Sequence, residues 1–396
     1  MSVPYASVIL PTLNRHATLP FALASVQAQS ETSLEIIVVL DGATSACRDL
    51  AFSAARADPR IVVRDLPKAP GGGKLNTPLA VSGAKGDRIF YIDDDDLWLP
   101  IHVEEIGSRL DEADIVDSRV CSADRAGRLH LTPCRASNEK IRRLHADQLF
   151  KTLYDTHIAH CRAAYGVYSH WGTREGGDPV AAFLAGFSAD PRCRWVSCDD
   201  VTALSLHGAC RRDMDAAARR QEIETWAAAI AAGNLLEVKL SEADSLFHLF
   251  RLLWAEPPGE EAFHSYLSAR GGYVSQADQL EHDLYRLVQG LAIPEQAAVN
   301  LAVRLAEPVE SGYLFECVAC SFYDAFGQVE AEALLRAACK GPGAALAGCH
   351  AAYSALLSRV DVGLAMSAIE SALSLGPDPL GTLETWCQKL RERVES

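Results

Sequence analysis

The run Glu35-Ile36-Ile37-Val38-Val39-Leu40, closed by Asp41-Gly42, constrains the fold of this chain more than any other segment. A continuous apolar run ended by a turn pair reads as a strand buried on both faces, and such strands belong to sheets with helices packed on either side. The flanking segments keep that pattern. Ser7-Val8-Ile9-Leu10 is a first strand, broken by Pro11-Thr12-Leu13-Asn14-Arg15, and Thr18 to Gln29 then carries Leu19, Leu23 and Val26 at helical spacing. A helix is expected over 45–57, a strand at Ile61-Val62-Val63, and a helix from the Gly71-Gly72-Gly73 loop to near Lys85. Arg88-Ile89-Phe90-Tyr91-Ile92 is a fourth strand that runs into Asp93-Asp94-Asp95-Asp96.

From about Asp213 the character changes: Ala and Leu dominate, β-rich runs disappear and helical periodicity takes over. Ser241-Glu242-Ala243-Asp244 resembles a capping box, and Pro294, Pro308, Gly327, Gly341-Pro342 and Gly376-Pro377 fall between helical stretches. The expected organisation is an α/β domain over 1–210 and an all-helical domain over 211–396, with no repeat period regular enough to assert. A chain of 396 residues has room for two such domains, and its 49% hydrophobic and 22% charged residues are the balance of a globular protein. The net charge of −15 argues against nucleic acid or anionic lipid as a partner, since both demand clustered Lys and Arg. No segment has the roughly 20 uninterrupted apolar residues of a membrane span. The N-terminus carries no leader pattern, and the 12 Cys are too scattered for a disulfide scaffold, so a cytoplasmic protein with reduced thiols is expected. Cys317 and Cys320, a single CxxC in an apolar helical stretch, read as core thiols.

The four aspartates carry the chemistry. If the strand continues through them, Asp93 and Asp95 point one way while Asp94 and Asp96 point the other. Carboxylates so close repel one another, and a divalent cation held by hard oxygen ligands relieves that repulsion. Their place at the end of an apolar strand favours a ligand site over a solvated turn, because open α/β sheets bind ligands at the carboxyl ends of their strands.

At this point the chain resembles the inverting glycosyltransferases of family 2, which have the GT-A fold: a mixed sheet with flanking helices. SVILPTLNR is similar to that family's first strand and nucleotide loop, EIIVVLDGATS to its second strand with an acidic end, and YIDDDDLWLP to its DxD segment. The resemblance covers about residues 5–208. It implies that Pro11, Thr12, Asn14 and Arg15 line the nucleotide, that Asp41 bonds the base, and that Asp93 contacts ribose or metal. Asp95 is then the principal ligand of Mn2+ or Mg2+, while Asp94, beside the donor, and Asp96 shape the turn. Asp178, before the apolar helix that opens at Pro179, stands where the family keeps its general base, with Glu175 as the rival carboxylate. His207 falls where a metal or phosphate partner belongs. Arg162 is a weaker candidate for phosphate or acceptor, and Trp171 for stacking on a sugar or packing in the core. The chain departs from the family in lacking the usual Arg-Asn dipeptide before the DxD, so Lys74 or Arg88 is expected to supply the missing charge.

The reading that follows is a metal-dependent inverting glycosyltransferase with a nucleotide-sugar donor, UDP-linked by expectation, and a saccharide, lipid-linked or polypeptide acceptor. A nucleotidyltransferase needs a Gly-rich basic loop where PTLNRH stands, and no GxGxxG follows a strand as a dinucleotide enzyme requires. A non-catalytic scaffold with a helical binding module is the remaining alternative. The helical half is expected to bind acceptor or partner, or to form homo-oligomers.

Overall fold

The structure is a computed structural model that describes residues 3–69, 76–125, 127, 129–131, 135–146, 153–169, 171, 179–206, 208–233, 246, 249–250, 253–254, 258–269, 276–307, 314–378 and 381–395. The chain forms two compact units, Met1–Leu240 and Ser241–Ser396.

In the first unit, β1 (Ala6–Thr12), α1 (Leu19–Gln27), β2 (Leu34–Asp41), α2 (Ser45–Ala57), β3 (Ile61–Leu66), α3 (Thr77–Ser82) and β4 (Arg88–Tyr91) follow one another as strand and helix alternately. Then come β5 (Leu97–Trp98), α4 (His102–Arg109), β6 (Ile115–Ser118), β7 (Cys121–Ala123), β8 (Leu129–Leu131), α5 (Glu139–Ala146), β9 (Ile158–Cys161), α6 (Pro179–Ala189), β10 (Trp195–Cys198), β11 (Ala203–Leu204) and α7 (Ala216–Ala231). Seven strands make one sheet in the order β10-β6-β9-β4-β1-β2-β3. Only β9 runs against its neighbours, pairing antiparallel with both β4 and β6. This is the mixed sheet with flanking helices of the GT-A class.

Why the central strands are apolar throughout is visible in their packing. All eight residues of β2 are buried. Leu34, Ile36, Val38 and Leu40 join one core together with Val8 and Leu10, whereas Ile37 and Val39 join the core on the opposite face with Ile9. The period of two sends alternate side chains to two separate cores, and α1, α2 and α4 face one while α3 and α6 face the other. Thr44 caps α2 by accepting from the Cys47 amide at 3.5 Å. At the end of β2, Gly42 has φ +64°, and a Cβ there would lie 2.9 Å or less from the Lys68 backbone, so glycine is required where this strand end meets the loop after β3.

A third core, made by Leu97, Cys121, Ala123, Leu129, Leu204 and Leu206, is closed by Ile223 and Trp226 of α7. The composition change near 213 would place this helix in the helical half. It lies instead in the first unit, because its apolar face completes a core of short strands.

On β6, next to the edge strand β10, Asp117 is 1% exposed and its Oδ1 accepts from Trp195 Nε1 at 2.6 Å and Ser197 Oγ at 2.8 Å. Burial pushes its carboxyl up to about 7 against those hydrogen bonds and the nearby Arg135. Its folded-state pKa exceeds the unfolded one, so its contribution to stability is complete below about pH 4 and is lost as pH rises to about 7, at up to ~1.4 kcal/mol per pH unit. Asp117→Asn keeps an acceptor for Trp195 and Ser197 without the charge. Relative to wild type its melting temperature should rise progressively from about pH 4 to about pH 7 and level off above that; parallel melting curves across that range would refute this.

The second unit is helical wherever it is described as regular, with helices Glu260–Ala269, Gln276–Val288, Glu295–Ala306, Phe315–Phe326, Gln328–Lys340, Ala347–Leu357, Val362–Leu375 and Thr382–Glu395. Phe263 stacks on Tyr285 at 4.3 Å, Trp254 donates to Ser321 Oγ at 2.6 Å, and Trp386 donates to Ser354 Oγ at 3.1 Å. Both indoles are thus buried with their N–H satisfied. Cys317 is buried in its helix and Cys320 half-buried, as core thiols would be. No described helix is long and apolar enough to cross a membrane. The capping-box segment 241–244 lies outside the described residues.

Candidate active site

β1 lies between β2 and β4, and the chain leaves β1 toward β2 but reaches β4 on the other side. Connections that diverge from adjacent strands open a crevice at their carboxyl ends. The loop after β1 and the aspartate run after β4 both enter it.

The aspartates are a turn and not a strand extension: β4 ends at Tyr91, and the Asp96 amide donates to the Asp93 carbonyl at 3.1 Å. Strand alternation therefore does not apply, and the pairing of Asp93 with Asp95 against Asp94 with Asp96 is corrected. Asp94 and Asp95 instead converge on one guanidinium. Arg15 donates to Asp94 Oδ1 at 3.2 Å and ion-pairs with Asp95 Oδ1. Asp94, Asp95 and Asp96 are almost fully buried, while Asp93 is half-buried. Burial lifts Asp94 to about 7 in spite of Arg15 and the Thr12 hydroxyl, and raises Asp95 as well in spite of Arg15, Arg219 and Arg211.

Asp96 is spoken for by the protein itself. It accepts from Thr156 Oγ1 at 2.6 Å, Ser205 Oγ at 3.1 Å and the Leu206 amide at 2.8 Å, which ties the turn to the segment just before β9 and to the segment after β11. This is the turn-shaping part expected of it; Asp94, by contrast, faces the same arginine as Asp95.

The other oxygen of Asp95 meets a residue that sequence reasoning missed. Arg219, in the first turns of α7, donates to Asp95 Oδ2 at 2.8 Å and to Glu222 Oε2 at 2.7 Å. Glu222 also holds Arg211, whose guanidinium is wholly buried and donates to the Ala123 carbonyl at 3.0 Å. Beside this network is a cavity of about 390 Å³ whose lining includes Asn14, Arg15, Asp95, Arg211, Arg212 and Arg219. Gly208 completes the wall: a Cβ there would lie 2.6 Å from Arg15 Nη2 and 3.4 Å from Asp95 Oδ2. Four arginines line this one cavity of a chain with net charge −15, and Arg15, Arg211 and Arg219 are paired there with Asp94, Asp95 and Glu222. The signal in the sequence was the pair of doublets Arg211-Arg212 and Arg219-Arg220 close after Gly208, hidden by the assumption that helix-forming composition meant a separate domain.

Asp41 closes β2, one strand away from β1. Its oxygens accept from the Ala69 amide at 2.7 Å and Asn76 Nδ2 at 2.6 Å, and it ion-pairs with Lys68. It thus fastens the loop after β3 to the end of β2, and Asn76, at the start of α3, is one of its donors. Pro11 and Thr12 are the last residues of β1, with Thr12 buried. Arg88 and Arg162 sit at the amino end of β4, remote from the aspartates along the sheet. Arg88 ion-pairs with Asp111, and Arg162 donates to Asp87 Oδ1 at 2.7 Å, so neither takes the phosphate role considered for it. Trp171 is buried and stacks on Phe183 at 4.3 Å, a core packing role. Lys74, Glu175, Asp178 and His207 lie outside the described residues.

Residues 7–167 match the family model described as Glycosyl transferase family 2. The chain carries a family 2 glycosyltransferase domain. That domain is 33% identical over 97 residues to GalNAc(5)-diNAcBac-PP-undecaprenol beta-1,3-glucosyltransferase of Campylobacter jejuni, an alignment covering 24% of this chain and 30% of that protein. It is 32% identical over 112 residues to the uncharacterized glycosyltransferase YwdF of Bacillus subtilis, covering 28% of this chain and 40% of the other. The chain thus aligns with well under half the length of these curated relatives. Among solved structures, S. aureus TarS 1-349 is similar with a TM-score of 0.43 and 17% identity over 82% of this chain and 90% of that one.

The family 2 domain invites a test of metal fit. Asp93, Asp94 and Asp95 offer the hard oxygen donors that Mg2+ and Mn2+ take. Both oxygens of Asp95 carry guanidinium partners, so a cation there would have to displace at least one of them.

Proposed function

We propose that the chain is an inverting glycosyltransferase that moves a sugar from a nucleotide-sugar donor to an acceptor hydroxyl or similar nucleophile, with a divalent cation at Asp95. The observation that carries this reading is the arginine-lined cavity bounded by Asp95 at the carboxyl ends of β1 and β4. A leaving nucleoside diphosphate is the anion that such a place suits.

In this reading Pro11, Thr12, Asn14 and Arg15 line the nucleotide, and Asp41 shapes the base end of the site together with Lys68 and Asn76. Lys74, Asp93 and Asp94 border the donor. Asp95, with His207, would hold Mn2+ or Mg2+, which supplies Lewis-acid stabilisation of charge on the departing diphosphate. Asp178 takes the acceptor's proton as the nucleophile attacks the anomeric carbon from the face opposite the diphosphate, which gives inversion. Arg15 orients Asp94 and Asp95 in one direction. Donor base, sugar and acceptor class (saccharide, lipid-linked or polypeptide) are left open, as is the use of the helical unit for acceptor, partner or self-association.

UDP with Mn2+ should raise the melting temperature of the wild-type protein, and a screen of nucleotide sugars read by mass should return a hydrolysed or transferred sugar. No shift with UDP, GDP or any other nucleoside diphosphate would favour a non-catalytic scaffold.

A further inference from the structure

Arg219 occupies a position whose purpose the donor reading leaves open. It is mostly buried, its guanidinium bridges Asp95 and Glu222, and the cavity opens beside it. Arg211 is fixed from several sides, by Glu222 and by a backbone carbonyl. Glu222 is therefore shared between two guanidiniums, and Arg219 has its second arm on the one carboxylate that a divalent cation needs.

A divalent cation on Asp95 competes with the guanidiniums of Arg15 on Oδ1 and Arg219 on Oδ2, since like charges that share one carboxylate repel at the intermediate dielectric of a partly buried site. The Glu222 arm keeps the side chain in place when the Asp95 arm is released. The nearest fresh acceptors are then the phosphate oxygens that arrive with the cation, and the planar fork of Arg suits phosphate as well as carboxylate.

We infer that Arg219 is a donor-binding residue that rests on Asp95 before the donor arrives and transfers to the diphosphate when donor and cation enter together. The inference rests on the glycosyltransferase reading and adds to it a residue beyond the segment matched by the family model. It makes two predictions of opposite sign for Arg219→Gln. With Asp95 relieved of a competing cation, Mn2+ alone should bind the variant more tightly, by about 3–10-fold. With a phosphate contact gone, UDP in the presence of Mn2+ should bind about tenfold more weakly, and UMP within about twofold of wild type.

The experiment titrates full-length wild-type protein, Arg219→Gln and Arg219→Lys with Mn2+, read by electron paramagnetic resonance of free Mn2+, and with UDP and UMP by calorimetry. Melting curves check folding; if Arg219→Gln does not fold, Arg219→Lys decides, and a loss of UDP affinity of at least threefold with UMP unchanged supports the inference. Wild-type protein that binds Mn2+ and UDP while the variants match it in both, or bind Mn2+ more weakly, overturns the role of Arg219 alone. Wild-type protein that binds neither overturns the donor reading and this one together.

Discussion

Asp95→Ala is expected to remove both donor binding and sugar transfer, with transfer falling by at least about 10³-fold. The size follows from what the carboxylate does in the proposed mechanism: it holds the cation that offsets several kcal/mol of charge on the departing diphosphate. It also follows from what surrounds it. Asp95 is the partner of both Arg15 and Arg219, so its loss leaves each guanidinium with one carboxylate, Asp94 or Glu222, in place of two. Calorimetry of UDP with Mn2+ and a transfer assay on the identified donor check the two halves separately. A variant that binds UDP as wild type does and transfers within tenfold of it would remove Asp95 from the centre of the site.

Asp178→Asn should behave differently. A general base contributes about 10²–10⁴ in rate without holding the donor, so transfer should fall by that factor while UDP affinity changes little. Near-wild-type transfer by Asp178→Asn would pass the role to Glu175, and Glu175→Gln would then show the loss.

Much of the sheet was legible because its residues answer to local rules. The unbroken apolar run 35–40 had to be covered on both faces, and β2 is. Helix α2 could be bounded at 45–57 from the break before it and the strand after it, and its bounds are those. The aspartate run could be recognised as chemistry, but its geometry could not be read, since the choice between strand and turn depends on a single hydrogen bond within the run and on donors from residues 156, 205 and 206. The same limit hid Arg219. Its partner is 124 positions away, and nothing local distinguishes it from the arginine beside it on the helix. Arg88 and Arg162 were misjudged for a related reason: a basic residue near an active-site strand can stand at either end of it, and here the antiparallel entry of β9 put Arg162 at the far end.

The anchoring of Asp96 sets where this protein can be cut. The recognisable sequence signature ends at residue 167, yet Ser205 and the Leu206 amide supply two of the three donors to that buried carboxylate, and Arg211, Arg219 and Glu222 come later still. A fragment stopped at the end of the signature would leave a buried acceptor short of donors, at about 1–3 kcal/mol for each one missing, and would open the third core by removing Ile223 and Trp226. The smallest piece that can be transplanted into a chimera with its pocket intact therefore runs through Ala231, well past the boundary that similarity between relatives would draw.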